Sequence, residues 1–169
     1  MRQQLALEAW HWRLGAAMAI AIAVTACAPA PQTSQTPAAG SAMTRNIVDP
    51  YLQIQKALSD DSTEGIHANA ASIVTAATTL GAPAMKIDGA AMQLVAASEA
   101  ATPDLSDVRD KFGALSDAID TYMTGEHLTP PEGVKIAFCP MAHKPWMQEG
   151  TAISNPYYGK EMPTCGDFR

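Results

Sequence analysis

The chain has 169 residues, a formal net charge of −6 and three cysteines. That acidity excludes a surface built to neutralise nucleic-acid phosphates, which needs clustered lysine and arginine. The length suits one domain plus a linker.

The first element is not part of a fold. Residues 1–13 carry Arg2 and Arg13 against Glu8, and residues 14–24 form an apolar run. Small residues Val24, Thr25 and Ala26 then precede Cys27. A basic start, a short apolar run and small residues at a cut site define a secretory signal. The run is too short to cross a bilayer, which needs about 20 apolar residues. Val24-Thr25-Ala26-Cys27 resembles the lipobox of bacterial lipoproteins. The resemblance implies cleavage after residue 26, lipid on Cys27 and a periplasmic, membrane-anchored protein. Each buried acyl CH₂ adds about 0.8 kcal/mol to such an anchor. Residue 28 is alanine, not aspartate, which by the sorting rule of such lipoproteins favours the outer membrane. Ordinary secretion, with Cys27 as a spare thiol, is the alternative.

Residues 27–45 are rich in Pro, Ala, Ser, Thr and Gln, with no charge before Arg45. They bury too little apolar surface to offset chain entropy, so a flexible tether is expected.

Residues 46–126 follow a helical period. The first helix is expected over 50–60, with Asp49 as N-cap, Pro50 at N1 and Ile47, Tyr51, Ile54 and Leu58 on one face. The second is expected over 62–80, closed by Gly81, and the third over 83–100. The fourth begins after Thr102 and carries the clearest stripe: Leu105, Val108, Phe112, Leu115, Ile119 and Tyr122. Short connections make neighbours antiparallel. The expected fold class is therefore all-α: an up-down four-helix bundle with a thin, alanine-rich core.

Residues 127–169 break the pattern. Residues 134–138 alternate as a short strand would. Prolines at 140, 145, 156 and 163 then exclude a long helix. The segment also holds Phe138, Trp146, Tyr157, Tyr158 and Phe168. We expect an irregular Cys/Met-rich tail packed across the bundle by these rings.

The candidate chemistry lies in that tail. With Cys27 lipidated, Cys139 and Cys165 remain, flanked by Met141, His143, Met147 and Met162. Polarizable thiolates and thioethers select soft ions such as Cu(I), so these six residues are the candidate metal ligands. The competing expectation is a Cys139–Cys165 disulfide, favoured by an oxidising compartment. It would add roughly 3.5 kcal/mol in the chain-entropy model. The two can coexist as a redox-gated site. Asn155-Pro156-Tyr157-Tyr158-Gly159 reads as a turn that places two tyrosines on the bundle, or else holds the two sulfur clusters at a fixed separation.

Cys139-Pro140-Met141, Trp146, Asn155-Pro156-Tyr157-Tyr158-Gly159, Met162 and Cys165-Gly166 together resemble a periplasmic domain family of undetermined function. Its members stand alone or are fused to adaptor subunits of copper/silver-type efflux systems. The resemblance implies a helical domain ending in this motif and a link to heavy-metal handling. Copper(I) or silver(I) would be the cofactor and heavy-metal efflux components the partners. A short, alanine-rich tether stands where an adaptor's hairpin and barrel would be, so the chain is not expected to be an adaptor itself.

Other candidates are weaker. Glu64 and His67 share a helical face but are two ligands only. His127 falls in a breaker, and Met85, Met92 and Met123 fit helix packing. Asp104, Asp107 and Asp110 suit a helix N-terminus. No phosphate loop, nucleophile elbow or HExxH motif occurs, and Cys139 with His143 lacks an orienting third group. A non-enzymatic, metal-binding lipoprotein is the expected function. A structural or interaction module pinned by a disulfide is the alternative, and a thiol enzyme the remote third.

Overall fold

In a computed structural model of the protein, the structure describes residues 41–169. Cys27, the signal segment and residues 27–40 lie outside the described residues.

Helix α1 spans Arg45–Ser59 and starts five residues before Pro50. Its N-cap is Thr44, whose side chain accepts the Asn46 N–H at 3.4 Å. Asp49, expected as the cap, instead lies one turn from Arg45 and pairs with it at 3.2 Å. Pro50 sits inside the second turn and removes one helical donor there. The end of the expected tether is built into the fold. Met43 is buried, its N–H donates to the Thr129 carbonyl at 2.8 Å, and Ala42 forms a parallel bridge with Thr129.

Helix α2 spans Ile66–Leu80 and Gly81 ends it. A 3₁₀ turn over Ala82–Ala84 leads into α3, Met85–Ala97. Helix α4 spans Leu105–Gly125, capped by Asp104, whose carboxylate accepts the Ser106 N–H at 2.8 Å. The four stripes meet in one core. It contains Ile47, Tyr51, Ile54 and Leu58 of α1, Ile66, Ile73 and Ala77 of α2, Ile87 and Leu94 of α3, and Phe112, Leu115 and Ile119 of α4.

The fold is not all-α. Strand β1, Val134–Cys139, pairs antiparallel with β2, Lys144–Glu149, and with β3, Asp167–Phe168, in the order β2-β1-β3. The domain is mixed α/β, four helices with a three-stranded sheet. The expectation of an irregular tail failed at β2, a strand that contains one of the prolines that excluded a long helix, Pro145. Proline is tolerated at a sheet edge, where its missing N–H removes no ladder bond. Strand β2 is such an edge. The Met147 N–H points off it to the Tyr51 hydroxyl at 3.3 Å, and Pro145, two residues earlier, has the same orientation.

Consecutive helices pack on one another, and β2 rests on both α4 and α1. The sheet edge thus closes the side of the bundle between the first and last helices. An aromatic column fastens the rest of the C-terminal segment. Tyr51 lies 4.9 Å from Phe112, Phe112 lies 5.9 Å from Tyr157, and Tyr157 lies 6.0 Å from Trp146 in an edge-on arrangement. Arg109 reaches across from α4 to the Leu58 and Pro156 carbonyls and to Asp61.

Candidate functional site: a buried thiol pair

Cys139 is the last residue of β1. A four-residue turn, 140–143, follows before β2, and Pro140 presets its first dihedral. The turn ends on His143 in the left-handed region (φ 52°), where histidine is among the residues that fit with least strain. The turn tightens onto the sulfur: the Ala142 N–H donates to Cys139 Sγ at 3.4 Å.

Cys165 ends a second tight turn. Its N–H donates to the Met162 carbonyl at 3.2 Å, again with proline, Pro163, second in the turn. Strand β3 pairs Asp167 with Phe138 and Phe168 with Ala137. That register carries Cys165 past the end of β1. Cys139 Sγ and Cys165 Sγ stand 3.9 Å apart, although 26 residues separate them. Cys139 is fully buried and Cys165 half-buried, and no disulfide joins them.

Asn155 lies beside the pair and is completely buried. Its Nδ2 donates to Cys139 Sγ at 3.3 Å and to the Cys165 carbonyl at 2.6 Å. Its Oδ1 accepts the N–H groups of Tyr157 at 2.7 Å and Tyr158 at 3.3 Å. Burial pushes the Cys165 thiol above its ordinary value, and its hydrogen bond and charge repulsion with Cys139 push it further.

The other predicted ligands divide. Met141 stands two residues beyond Cys139 on the turn, 60% exposed. Its backbone favours the ionised form of the Cys165 thiol, so the turn that carries Met141 borders both thiols. Met162 is half-buried and opens the turn that ends in Cys165. His143 is exposed at the far end of the hairpin turn. Met147 is not part of the group. It pairs with Ile136, on the sheet face opposite Ala137 and Cys139. There it lines a small core cavity with Ile119 and Met123.

Among the described residues, no group of three or more His, Cys, Asp or Glu side chains is placed to hold a metal ion. Two thiolates are the anionic donors on offer, so any further ligand must be a thioether, an imidazole at the rim or solvent. Such a set fits a soft ion and not Mg²⁺ or Ca²⁺, which need oxygen ligands. The Cys139 sulfur has Cys165, Ala142 and Asn155 as its hydrogen-bond partners, not His143. The nucleophile–base pairing of Cys139 with His143 is therefore not formed.

No family model, curated protein or solved structure matches the chain. Among the described residues, no helix is long and apolar enough to cross a membrane.

Sequence reasoning placed the two cysteines in one site and weighed residues 155–159 as a spacer between the sulfur clusters, but did not single out the Asn155 side chain. The Asn-Pro pair reads as a turn in any loop. Only the folded chain shows that the side chain faces both sulfur-bearing segments.

Proposed function

We propose that the domain binds one soft monovalent ion, Cu(I) or Ag(I), between Cys139 and Cys165, with Met141 or Met162 as a third sulfur donor. The observation that carries this reading is the 3.9 Å separation of the two sulfurs. With the zinc–thiolate bond of about 2.3 Å as a guide, thiolates sharing one ion at tetrahedral to trigonal angles stand about 3.8–4.0 Å apart. The exposed Met141, two residues along the turn from Cys139, supports the same reading, since a thioether left in solvent is an accessible soft ligand. In the protein as we envisage it, lipid on Cys27 holds the domain at the periplasmic face of a membrane, most simply the outer one. It takes up the ion there and passes it to heavy-metal efflux components.

The same separation supports a second reading. Two thiols in contact can be joined at about 2.05 Å when an external oxidant of the compartment, such as a protein disulfide, takes up their two electrons and two protons. On this reading the bridge staples β3 to the end of β1, and the domain is a structural or interaction module.

Competition for Cu(I) against a chromogenic chelator, on the reduced chain and on Cys139→Ser and Cys165→Ser variants, tests the first reading. One ion per reduced chain and loss of at least tenfold in affinity in each variant are expected. Equal, weak binding by all three forms overturns it. Thiol counting on protein taken directly from the periplasm tests the second, which requires no free thiol before reduction.

A further inference from the structure

We propose that Asn155 is the positioning residue of this sulfur site: its buried carboxamide ties the Cys165 segment to Cys139 and supplies a hydrogen bond to the Cys139 sulfur that strengthens as that sulfur takes on negative charge. The inference deepens the metal-binding reading and rests on it, but its geometry is independent of any ion.

The orientation of the amide is forced by its partners. Only the NH₂ end can donate to the Cys165 carbonyl, 2.6 Å away, and only the carbonyl end can accept the Tyr157 and Tyr158 N–H groups. Nδ2 therefore faces the sulfur, and its second hydrogen has Cys139 Sγ as its acceptor at 3.3 Å. Both donors and both acceptor positions of the amide are used. An ordinary Asx turn would need the Oδ1 bonds alone. The Nδ2 bonds are additional, and they reach the two cysteine-bearing segments and nothing else.

Charge gives this donor its role. A monovalent ion between two thiolates leaves one net negative charge in a buried place. The cation on the neighbouring hairpin strand, Lys144, is turned to Asp117. Neutral N–H donors then carry the stabilisation, Asn155 from one side and the Ala142 N–H from the other. Hydrogen bonds to an ionised acceptor are roughly twice as strong as neutral ones. Partners of this kind in the outer shell of a metal site are worth about 10–100-fold in affinity.

The test uses the full reduced chain with Ag(I) as probe, beside Asn155→Ala and Asn155→Asp. Each variant should lose about tenfold or more in Ag(I) affinity. Each should also move the dithiol–disulfide equilibrium in a glutathione buffer by about tenfold, equivalent to about 30 mV. Ile73→Val, a core change in α2, is the control for general destabilisation and should move neither. In the wild type, the Asn155 side-chain amide resonances should shift between reduced, oxidised and Ag(I)-loaded protein. That measurement stands even where a variant does not fold. Folded variants that match the wild type in both equilibria overturn the proposal. So do Asn155 amide resonances identical in all three states. If the wild type takes up no Ag(I), the metal reading fails, while the reduced–oxidised comparison still decides the role of Asn155.

Discussion

Gly166 lies against the indole of Trp146 with no room for a side chain. A Cβ at this position would stand 2.5 Å from the indole ring and 2.9 Å from the Phe138 carbonyl. Its φ of 138° is also one that other residues avoid. This close approach lets the chain pass over Trp146 and delivers Cys165 to Cys139. Gly166→Ala should therefore destabilise the domain by about 1–3 kcal/mol, measured by urea unfolding. It should also weaken Ag(I) binding by lifting Cys165 away. Unchanged stability and binding would show that the crossing is not held by this contact.

The methionines can be separated by position. Of Met141→Leu and Met162→Leu, the one that removes the third sulfur donor should reduce affinity for the soft ion. Met147→Leu should leave it unchanged and cost less than about 1.5 kcal/mol of stability, as volume-conserving core changes do. Isothermal titration with Ag(I) on the three variants reads this pattern. Loss of binding in the Met147 variant alone would contradict the assignment.

Tyr51 joins three elements. Its hydroxyl shares a 2.7 Å hydrogen bond with Ser116 of α4 and accepts the Met147 N–H of β2. Tyr51→Phe leaves that N–H without its partner and should cost about 1–3 kcal/mol at neutral pH. Burial holds the phenols of Tyr51 and Tyr157 protonated well above the ordinary tyrosine range. Their contribution to stability is fully present below about pH 10, where the unfolded chain's tyrosines ionise, and is lost as pH rises beyond it. Alkaline unfolding curves should show this fall, and Tyr51→Phe should make it shallower.

On the acid side, the hydrogen bond from Arg109 is the main cause of a lowered Asp61 carboxyl, helped by the Lys160 N–H. A depressed carboxyl stabilises the fold above its unfolded value, about 3.9. That contribution disappears as pH falls through the lower folded value. Asp61→Asn should flatten the stability profile below about pH 4, followed by circular dichroism. An unchanged acid limb would mean that the Arg109–Asp61 contact is not maintained in solution.

Metal uptake should strengthen with pH. Burial and the neighbouring Cys139 keep the Cys165 proton on to higher pH than an ordinary thiol. Binding must displace that proton, so affinity should rise through neutral and mildly alkaline pH with proton release. Cys165→Ser should release one proton fewer per ion bound and show a shallower dependence, the remainder belonging to Cys139. A pH-independent affinity in the wild type would argue against Cys165 as a ligand.

Much of this protein was legible in its residue order. Helical periodicity located all four helices, because each must bury one stripe and the stripe recurs every three to four residues. The strongest stripe, on α4, matches its buried face from Val108 to Tyr122. Helix starts were less legible. Asp49-Pro50 has the form of a cap and first residue, yet Thr44 caps α1, since apolar Ile47 and Val48 gain more from burial inside the helix than one lost donor at Pro50 costs. The thiol and thioether content of residues 139–165 raised soft-ion binding and a disulfide as the expected chemistries, because side-chain softness belongs to the residue and not to the fold.

Residues 134–138 already read as the strand that became β1; tertiary structure decided the rest of the sheet and the geometry of the site. Whether Pro145 breaks a strand depends on which edge faces outward, and that follows from Tyr51 on a helix 94 residues earlier. That Met147 belongs to the core, while Cys139 meets Cys165, follows from strand register, in which one residue's shift turns every side chain to the other face. Asn155 became more than a turn residue only when two chain segments arrived on its donor side. Composition and period are local properties and can be read along the chain. Register and the meeting of distant sulfurs are set by long-range packing, which no local stretch encodes.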